Sequence, residues 1–146
     1  MSDVKIIAIA GGSASGKSSI VNYIDDYFKE DLIVIGHDNY YKAHDDISFD
    51  QRAKLNYDYP GAFDNDLFFE DLKKLQAGIS IQMPTYDYTI RTRSDKTIKI
   101  NPTKIILIEG ILVLGDKKIR DITDTKVFID ADSDVRLQRR ILRDTK

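Results

Sequence analysis

Val4-Lys5-Ile6-Ile7-Ala8-Ile9-Ala10 is a short, nearly continuous apolar run rich in β-branched residues. A run of this kind suits a parallel strand covered on both faces. A glycine-rich turn follows at once, and then Ile20, Val21, Ile24, Tyr27 and Phe28 recur at helical spacing. That spacing predicts a helix packing one apolar face on a sheet. Leu32 to Ile35 reads as a second buried strand, Lys104 to Glu109 as a central one, and Lys126 to Asp130 as a fourth. Asp64 can cap a helix over 64–77 whose apolar side carries Phe68, Leu72 and Leu75, with Gly78 where a left-handed terminating residue is wanted. Ile79, Ile81 and Met83 alternate with polar residues, as do Ile98 and Ile100, with Arg93-Ser94-Asp95 between. This predicts a hairpin with one solvated face that projects from the main sheet. Strands alternating with helices imply right-handed βαβ crossovers, hence a three-layer α/β/α fold with a parallel sheet.

Composition narrows the function classes. A chain of 146 residues with 42% hydrophobic and 32% charged residues is sized and balanced for one folded domain. Its net charge of -2 supplies no global positive field for nucleic acid or anionic lipid, so any phosphate site must be local and neither partner is expected. The absence of cysteine excludes disulfides and thiolate metal sites and fits a reducing compartment. The first apolar run is too short for a membrane span and no signal-peptide layout precedes it, which makes the cytoplasm the default location. Arg143-Asp144-Thr145-Lys146 falls within an amphipathic helical pattern that has no Gly or Pro stop, so the chain reads as a truncated copy.

Gly11-Gly12-Ser13-Ala14-Ser15-Gly16-Lys17-Ser18 fits the G-x-x-x-x-G-K-[ST] phosphate loop, after a predicted strand and before a predicted helix. Backbone amides in such a loop, with the helix N-terminus and Ser19 beside it, surround phosphate oxygens with donors. Lys17 adds a mobile cation for the outer phosphates, and Ser18 can offer its hydroxyl to magnesium. Glu109, ending the central strand, is either a partner of that ion or an acid that merely closes a strand. The competing reading of the whole motif is a glycine-rich turn with a capping serine.

Asp38 follows the second strand and so belongs at the carboxyl edge of the sheet, where open α/β folds bind ligands. A carboxylate there can orient an acceptor hydroxyl and take its proton, although a plain turn aspartate would occupy the same place. Tyr40, Tyr41, Tyr57, Tyr59, Tyr86 and Tyr88 all fall in loops or the hairpin, where rings with a polar tip suit a planar, hydrogen-bonding ligand or simply pack a rim. Arg136, Arg139, Arg140 and Arg143 gather largely on one side of a helix. They would either close over phosphates, with Arg139 and Arg136 facing the transferred group and the acceptor, or form a solvated basic face.

These segments, in order, resemble the motifs of uridine kinases. The resemblance is carried by the phosphate loop, Asp38-Asn39-Tyr40-Tyr41, Asn56 to Asp64, Pro84-Thr85-Tyr86-Asp87-Tyr88, Glu109-Gly110-Ile111-Leu112 and Asp134 to Arg140. It implies a P-loop NTPase fold and transfer of the γ-phosphoryl group of ATP or GTP to the 5'-hydroxyl of uridine or cytidine. Asp38 would be the base, with Ser18, Asp38 and Glu109 around magnesium. Asp58 would grip the ribose, Tyr86 would help hold the nucleobase, and Tyr40, Tyr57 and Tyr88 would line the acceptor pocket. The resemblance also implies a homo-oligomer, a tetramer, and a C-terminal remainder with a lid and a last strand that these residues do not include. Turnover by these residues alone is therefore expected to be weak or absent.

The pattern departs from the family in the acceptor half. Arg91 stands where a histidine usually contacts the pyrimidine, and Tyr59 and Gly61 stand where His and Asp are common. An arginine only donates, whereas neutral histidine donates and accepts, so the base readout can differ. A phosphoribulokinase- or pantothenate-kinase-like acceptor is the alternative, and a nucleotide-binding non-catalytic protein a further one. No Asn/Thr-Lys-x-Asp motif favours a guanine-reading switch, since Thr103-Lys104 and Thr125-Lys126 lack the following Asp.

Overall fold

The computed structural model describes residues 4–11, 16–42, 48, 50–51, 62–87, 89 and 92–129. The apolar runs become β1 (Lys5–Gly11), β2 (Leu32–Gly36), β5 (Ile105–Gly110) and β6 (Thr125–Ile129). They form one parallel sheet in the order β2-β5-β1-β6. The helices are α1 (Lys17–Phe28), α2 (Asn65–Gln76) and α3 (Lys117–Ile122), and β3 (Ile81–Asp87) pairs antiparallel with β4 (Thr92–Ile100). Helix between strands and strict parallel pairing give the expected α/β architecture.

Both faces of the sheet are covered, which is why its strands read as continuous apolar runs. Alternate residues of β1 feed opposite layers. Ile6, Ala8 and Ala10 join Ile35, Ile106 and Ile108 against Phe68, Leu72 and Leu75 of α2, with Ile81, Met83 and Ile100 at the root of the hairpin. Ile9 joins Leu32 and Leu107 against Val21, Ile24 and Phe28 of α1. The apolar face of α1 is therefore narrower than its sequence suggests. Ile20 and Tyr27 turn outward, and Tyr27 is 73% exposed, because a short helix on a twisted sheet seats only one stripe.

Asp64 caps α2 as expected, its Oδ1 accepting from the Leu67 amide at 3.2 Å. Gly78 ends the helix at φ +82, a conformation that costs other residues, and the Ile79 amide then closes back on the Lys74 carbonyl at 2.9 Å. This corrects the start of the hairpin: Ile79 completes the helix terminus and lies exposed, and the strand begins at Ile81.

Two further corrections concern the hairpin and α3. Arg93, Ser94 and Asp95 lie inside β4 instead of forming the turn. The hairpin itself stands apart from the main sheet as a separate two-stranded sheet, as expected; the middle of β4 is exposed, while Thr92 near its tip is buried. α3 has no counterpart in the sequence reading, since six residues are too few to show a helical period; its signal is Asp116, which caps the Lys118 amide at 2.8 Å. Among the described residues no helix is long and apolar enough to cross a membrane.

Candidate active site

The register of the sheet decides which residues meet. Glu109 sits level with Gly36 on one side and Ile9 on the other, and Gly110 pairs with Ala10. The ends of β1, β2 and β5 therefore share one carboxyl edge, where the segments following β1 and β2 also emerge.

At that edge Gly16 adopts φ +92, a left-handed conformation that glycine enters without strain, and α1 begins at Lys17. A glycine cap has no side chain to accept from the first helical amides, which leaves the positive end of the helix dipole facing the edge. Ser18 and Ser19 lie exposed in the first turn. Lys17 Nζ is 3.1 Å from Glu109 Oε2, with both side chains largely shielded. Gly36 is what lets the carboxylate lie across the end of β2, since a Cβ there would stand 3.1 Å from Glu109 Oε1.

Asp38 is exposed at the same edge, in the 3-10 turn His37–Tyr40 that ends β2. The turn is held by its neighbours. Asn39 Nδ2 donates to the Gly36 carbonyl at 3.2 Å, and His37 is 1% exposed. The His37 ring stacks on Phe63 at 3.8 Å and on Phe68 at 5.0 Å, and its Nε2 lies 2.8 Å from Asn65 Oδ1. One buried imidazole thus joins the end of β2, the start of α2 and, through Gly110, the end of β5.

Gly110 has no room for a side chain: a Cβ would meet His37 Cβ at 2.8 Å, and that atom cannot swing away. Gly110→Ala is expected to destabilise the fold by about 1–3 kcal/mol, measured by urea unfolding.

Burial lowers the His37 pKa from 6.5 to about 4, outweighing the opposing hydrogen bond that the ring donates to Asn65 Oδ1. Because the folded pKa lies below the unfolded one, the unfolded chain binds the proton more readily between these values, and stability falls as pH drops through that window. The loss expected from pH 6.5 to 4 is roughly 3 kcal/mol. His37→Phe, which keeps the stacking, should flatten that part of the wild-type profile. Comparing the two proteins cancels the contribution of Asp71, whose pKa is raised, chiefly by burial.

Tyr40 requires a correction. It was expected in the acceptor pocket, but it is fully buried, packs on Phe68 at 4.6 Å and donates its hydroxyl to Asp71 Oδ2 at 2.8 Å. Its hydroxyl is spent on α2, and burial pushes its pKa well up. Tyr86 sits in a separate aromatic group, 5.1 Å from the Tyr41 ring, which in turn stacks on Phe63 at 4.5 Å. That group directly follows the turn carrying Asp38.

Of the candidate site residues, Gly11, Gly16, Lys17, Ser18, Ser19, Asp38, Tyr86 and Glu109 fall in this region. Gly12, Ser13, Ala14, Ser15, Tyr57, Asp58, Tyr88, Arg91, Arg136 and Arg139 lie outside the described residues. His37, Asn39 and Asn65 are supports that sequence reasoning missed. The available signal was a histidine adjoining the candidate base at the end of a buried strand.

The family model described as Phosphoribulokinase / Uridine kinase family matches residues 6–146. A uridine kinase of Streptococcus pneumoniae (strain Hungary19A-6) is 49% identical over 140 residues, covering 95% of this chain and 66% of that protein. The chain thus spans just under two thirds of the length of the curated relatives it matches. Among solved structures, a putative fructose transport system kinase from Silicibacter sp. TM1040 superposes with a TM-score of 0.77 at 19% identity, over 97% of this chain and 72% of the other. A possible uridine kinase from Bacillus stearothermophilus gives 0.65 at 23% identity, over 94% and 75%. At these identities the two structures establish the shared fold.

Proposed function

Because this chain belongs to the phosphoribulokinase / uridine kinase family, we propose that the protein is a nucleoside kinase. It passes the γ-phosphoryl group of ATP or GTP to the 5'-hydroxyl of uridine or cytidine, as the name of its relative suggests. The observation that carries this reading is the Lys17–Glu109 contact of 3.1 Å at the sheet edge, with Asp38 on the neighbouring strand's turn. A cation for phosphate, an acid beside it and a second acid across the edge are the groups that alcohol phosphorylation requires.

In this reading the segment from Gly11 to Ser19 wraps the triphosphate with main-chain amides and the α1 terminus. Lys17 leaves Glu109 for the outer phosphates, and Asp38 orients the acceptor hydroxyl and removes its proton as the new bond forms. Tyr86 borders the acceptor, while Asp58, Tyr57, Tyr88, Arg91 and Arg136 complete its pocket and Arg139 neutralises the moving phosphoryl group.

The donor set also fits magnesium. Ser18, Asp38 and Glu109 offer hard oxygen ligands, and the described residues contain no cluster of three acidic, histidine or cysteine side chains that would bind a metal by itself. That balance suits an ion held by one or two protein oxygens together with phosphates. Bound there, magnesium would neutralise negative charge on the phosphates. A cytoplasmic homo-oligomer, by family resemblance a tetramer, is part of the same proposal.

A second reading keeps the chemistry and changes the acceptor to a phosphorylated sugar or another small alcohol. Arg91, in the place of the expected histidine, is the residue that favours it. The test is ADP release by the full-length protein with uridine, cytidine, phosphoribulose and pantothenate. Turnover with the pyrimidine nucleosides supports the first reading; turnover confined to another acceptor replaces it with the second.

A further inference from the structure

We infer that Arg93 is a positioning residue that latches the tip of the β3–β4 hairpin onto the turn carrying Asp38, and thereby sets how tightly the acceptor is held. The inference rests on the kinase reading for its kinetic consequence, but the latch itself is a feature of the fold.

The hairpin has two anchors of different kinds. At its root, Ile81 and Ile100 face each other and join the main core together with Met83. Along its middle, residues 95–99 of β4 are exposed, so the apolar anchor ends there. Near the tip, Tyr86 pairs with Arg93 and Asp87 with Thr92, and burial returns. An irregularity between Pro84 and Tyr86 separates the two parts, as expected where a strand bends to a new direction.

What holds the tip is polar. Arg93 Nη2 donates to the Tyr41 carbonyl at 3.2 Å and to Asp64 Oδ2 at 3.4 Å. Those two acceptors are already tied together: Tyr41 bridges Phe63, the Asp64 amide donates to the Tyr40 carbonyl at 2.6 Å, and the Lys42 amide donates to the Ala62 carbonyl at 3.0 Å. Arg93 therefore grips a two-segment clasp formed by the exit of the Asp38 turn and the entry to α2. Its Nε is buried without a hydrogen-bond partner among the described residues, so here the grip rests on one terminal nitrogen. The ring contact between Tyr86 and Tyr41 lies beside it.

The consequence is mechanical. Without Arg93 the root stays in the core, but the tip loses its charged contact and Tyr86 its fixed distance from the Asp38 turn. The phosphate loop, Lys17 and Glu109 lie on other elements and keep their geometry. A loosened tip should weaken the acceptor and spare the nucleotide.

The experiment compares wild-type full-length protein with Arg93→Gln, Arg93→Lys and Asp64→Asn; the last keeps a capping side chain on α2 while removing the charge. Amide hydrogen exchange is read over residues 85–94 and over β1 and α1, alongside KM for uridine and for ATP. The expected result for Arg93→Gln is faster exchange confined to the tip and roughly a tenfold rise in uridine KM, the scale of a lost charged hydrogen bond, with ATP KM within about twofold. Arg93→Lys and Asp64→Asn should fall between it and wild type, and they carry the test if Arg93→Gln does not fold. Unchanged tip exchange, or uridine and ATP KM rising together, overturns the latch. If the wild type phosphorylates no nucleoside, the nucleoside-kinase reading fails, and the exchange comparison still decides whether Arg93 holds the tip.

Discussion

Asp38→Asn in the full-length protein is expected to slow phosphoryl transfer by ~10²–10⁴-fold, the range for loss of an acid-base group, with nucleotide affinity nearly intact. The carboxamide keeps the shape of the side chain and its capacity to accept a hydrogen bond, but it takes no proton at neutral pH. The turn itself should survive the change. Its form is set by buried His37 and Tyr40 on either side and by Asn39 bonded to the Gly36 carbonyl, whereas Asp38 faces solvent. Surface substitutions of this kind usually alter stability by about 0.5 kcal/mol or less. Single-turnover rates and calorimetric nucleotide binding measure the two halves of the prediction. Transfer that is unchanged would remove Asp38 from the role of base.

Lys17→Ala should differ in kind, because binding and transfer fall together. The ammonium reaches the edge from the first residue of α1 and contacts Glu109 at 3.1 Å, so its removal takes away the phosphate cation and leaves a shielded carboxylate unpaired beside the phosphate position. Loss of one preorganised electrostatic group costs on the order of 10²–10³ in rate, and the repulsion from Glu109 adds a penalty in nucleotide affinity. With binding read in the absence of magnesium, adding Glu109→Gln to Lys17→Ala removes that repulsion and should recover part of the affinity, and the rate with magnesium should not recover. The same two assays read the outcome: a Lys17→Ala protein with normal affinity and slow transfer only would separate Lys17 from ground-state phosphate binding.

Much of the main sheet was legible because its signals are local. A strand buried on both faces must be apolar throughout, so β1, β2 and β5 appear as runs such as Ile6 to Ala10 and Ile105 to Ile108. The phosphate-loop glycine before α1 and the Asp64 cap and Gly78 terminus of α2 are likewise read within a few residues. What escaped depends on distant partners. Tyr40 looks like a pocket-lining tyrosine until Asp71, 31 positions on, takes its hydroxyl. The hairpin is legible but what holds its tip is not, since Arg93 bonds to Tyr41 and Asp64, which lie 52 and 29 positions away. His37 escaped because its role comes from the Phe63, Phe68 and Asn65 side chains that surround it.

The proposed chemistry needs one edge of the sheet to receive a triphosphate tail at Lys17 while Asp38 faces the alcohol that attacks it. A crystal structure of the full-length protein with a non-hydrolysable triphosphate, magnesium and uridine tests that arrangement directly. The terminal phosphate is expected against Lys17 Nζ, with the ribose hydroxyl within hydrogen-bond distance of the Asp38 carboxylate. A phosphate tail bound away from Lys17, or an Asp38 side chain turned away from it, would rule out these roles for the two residues.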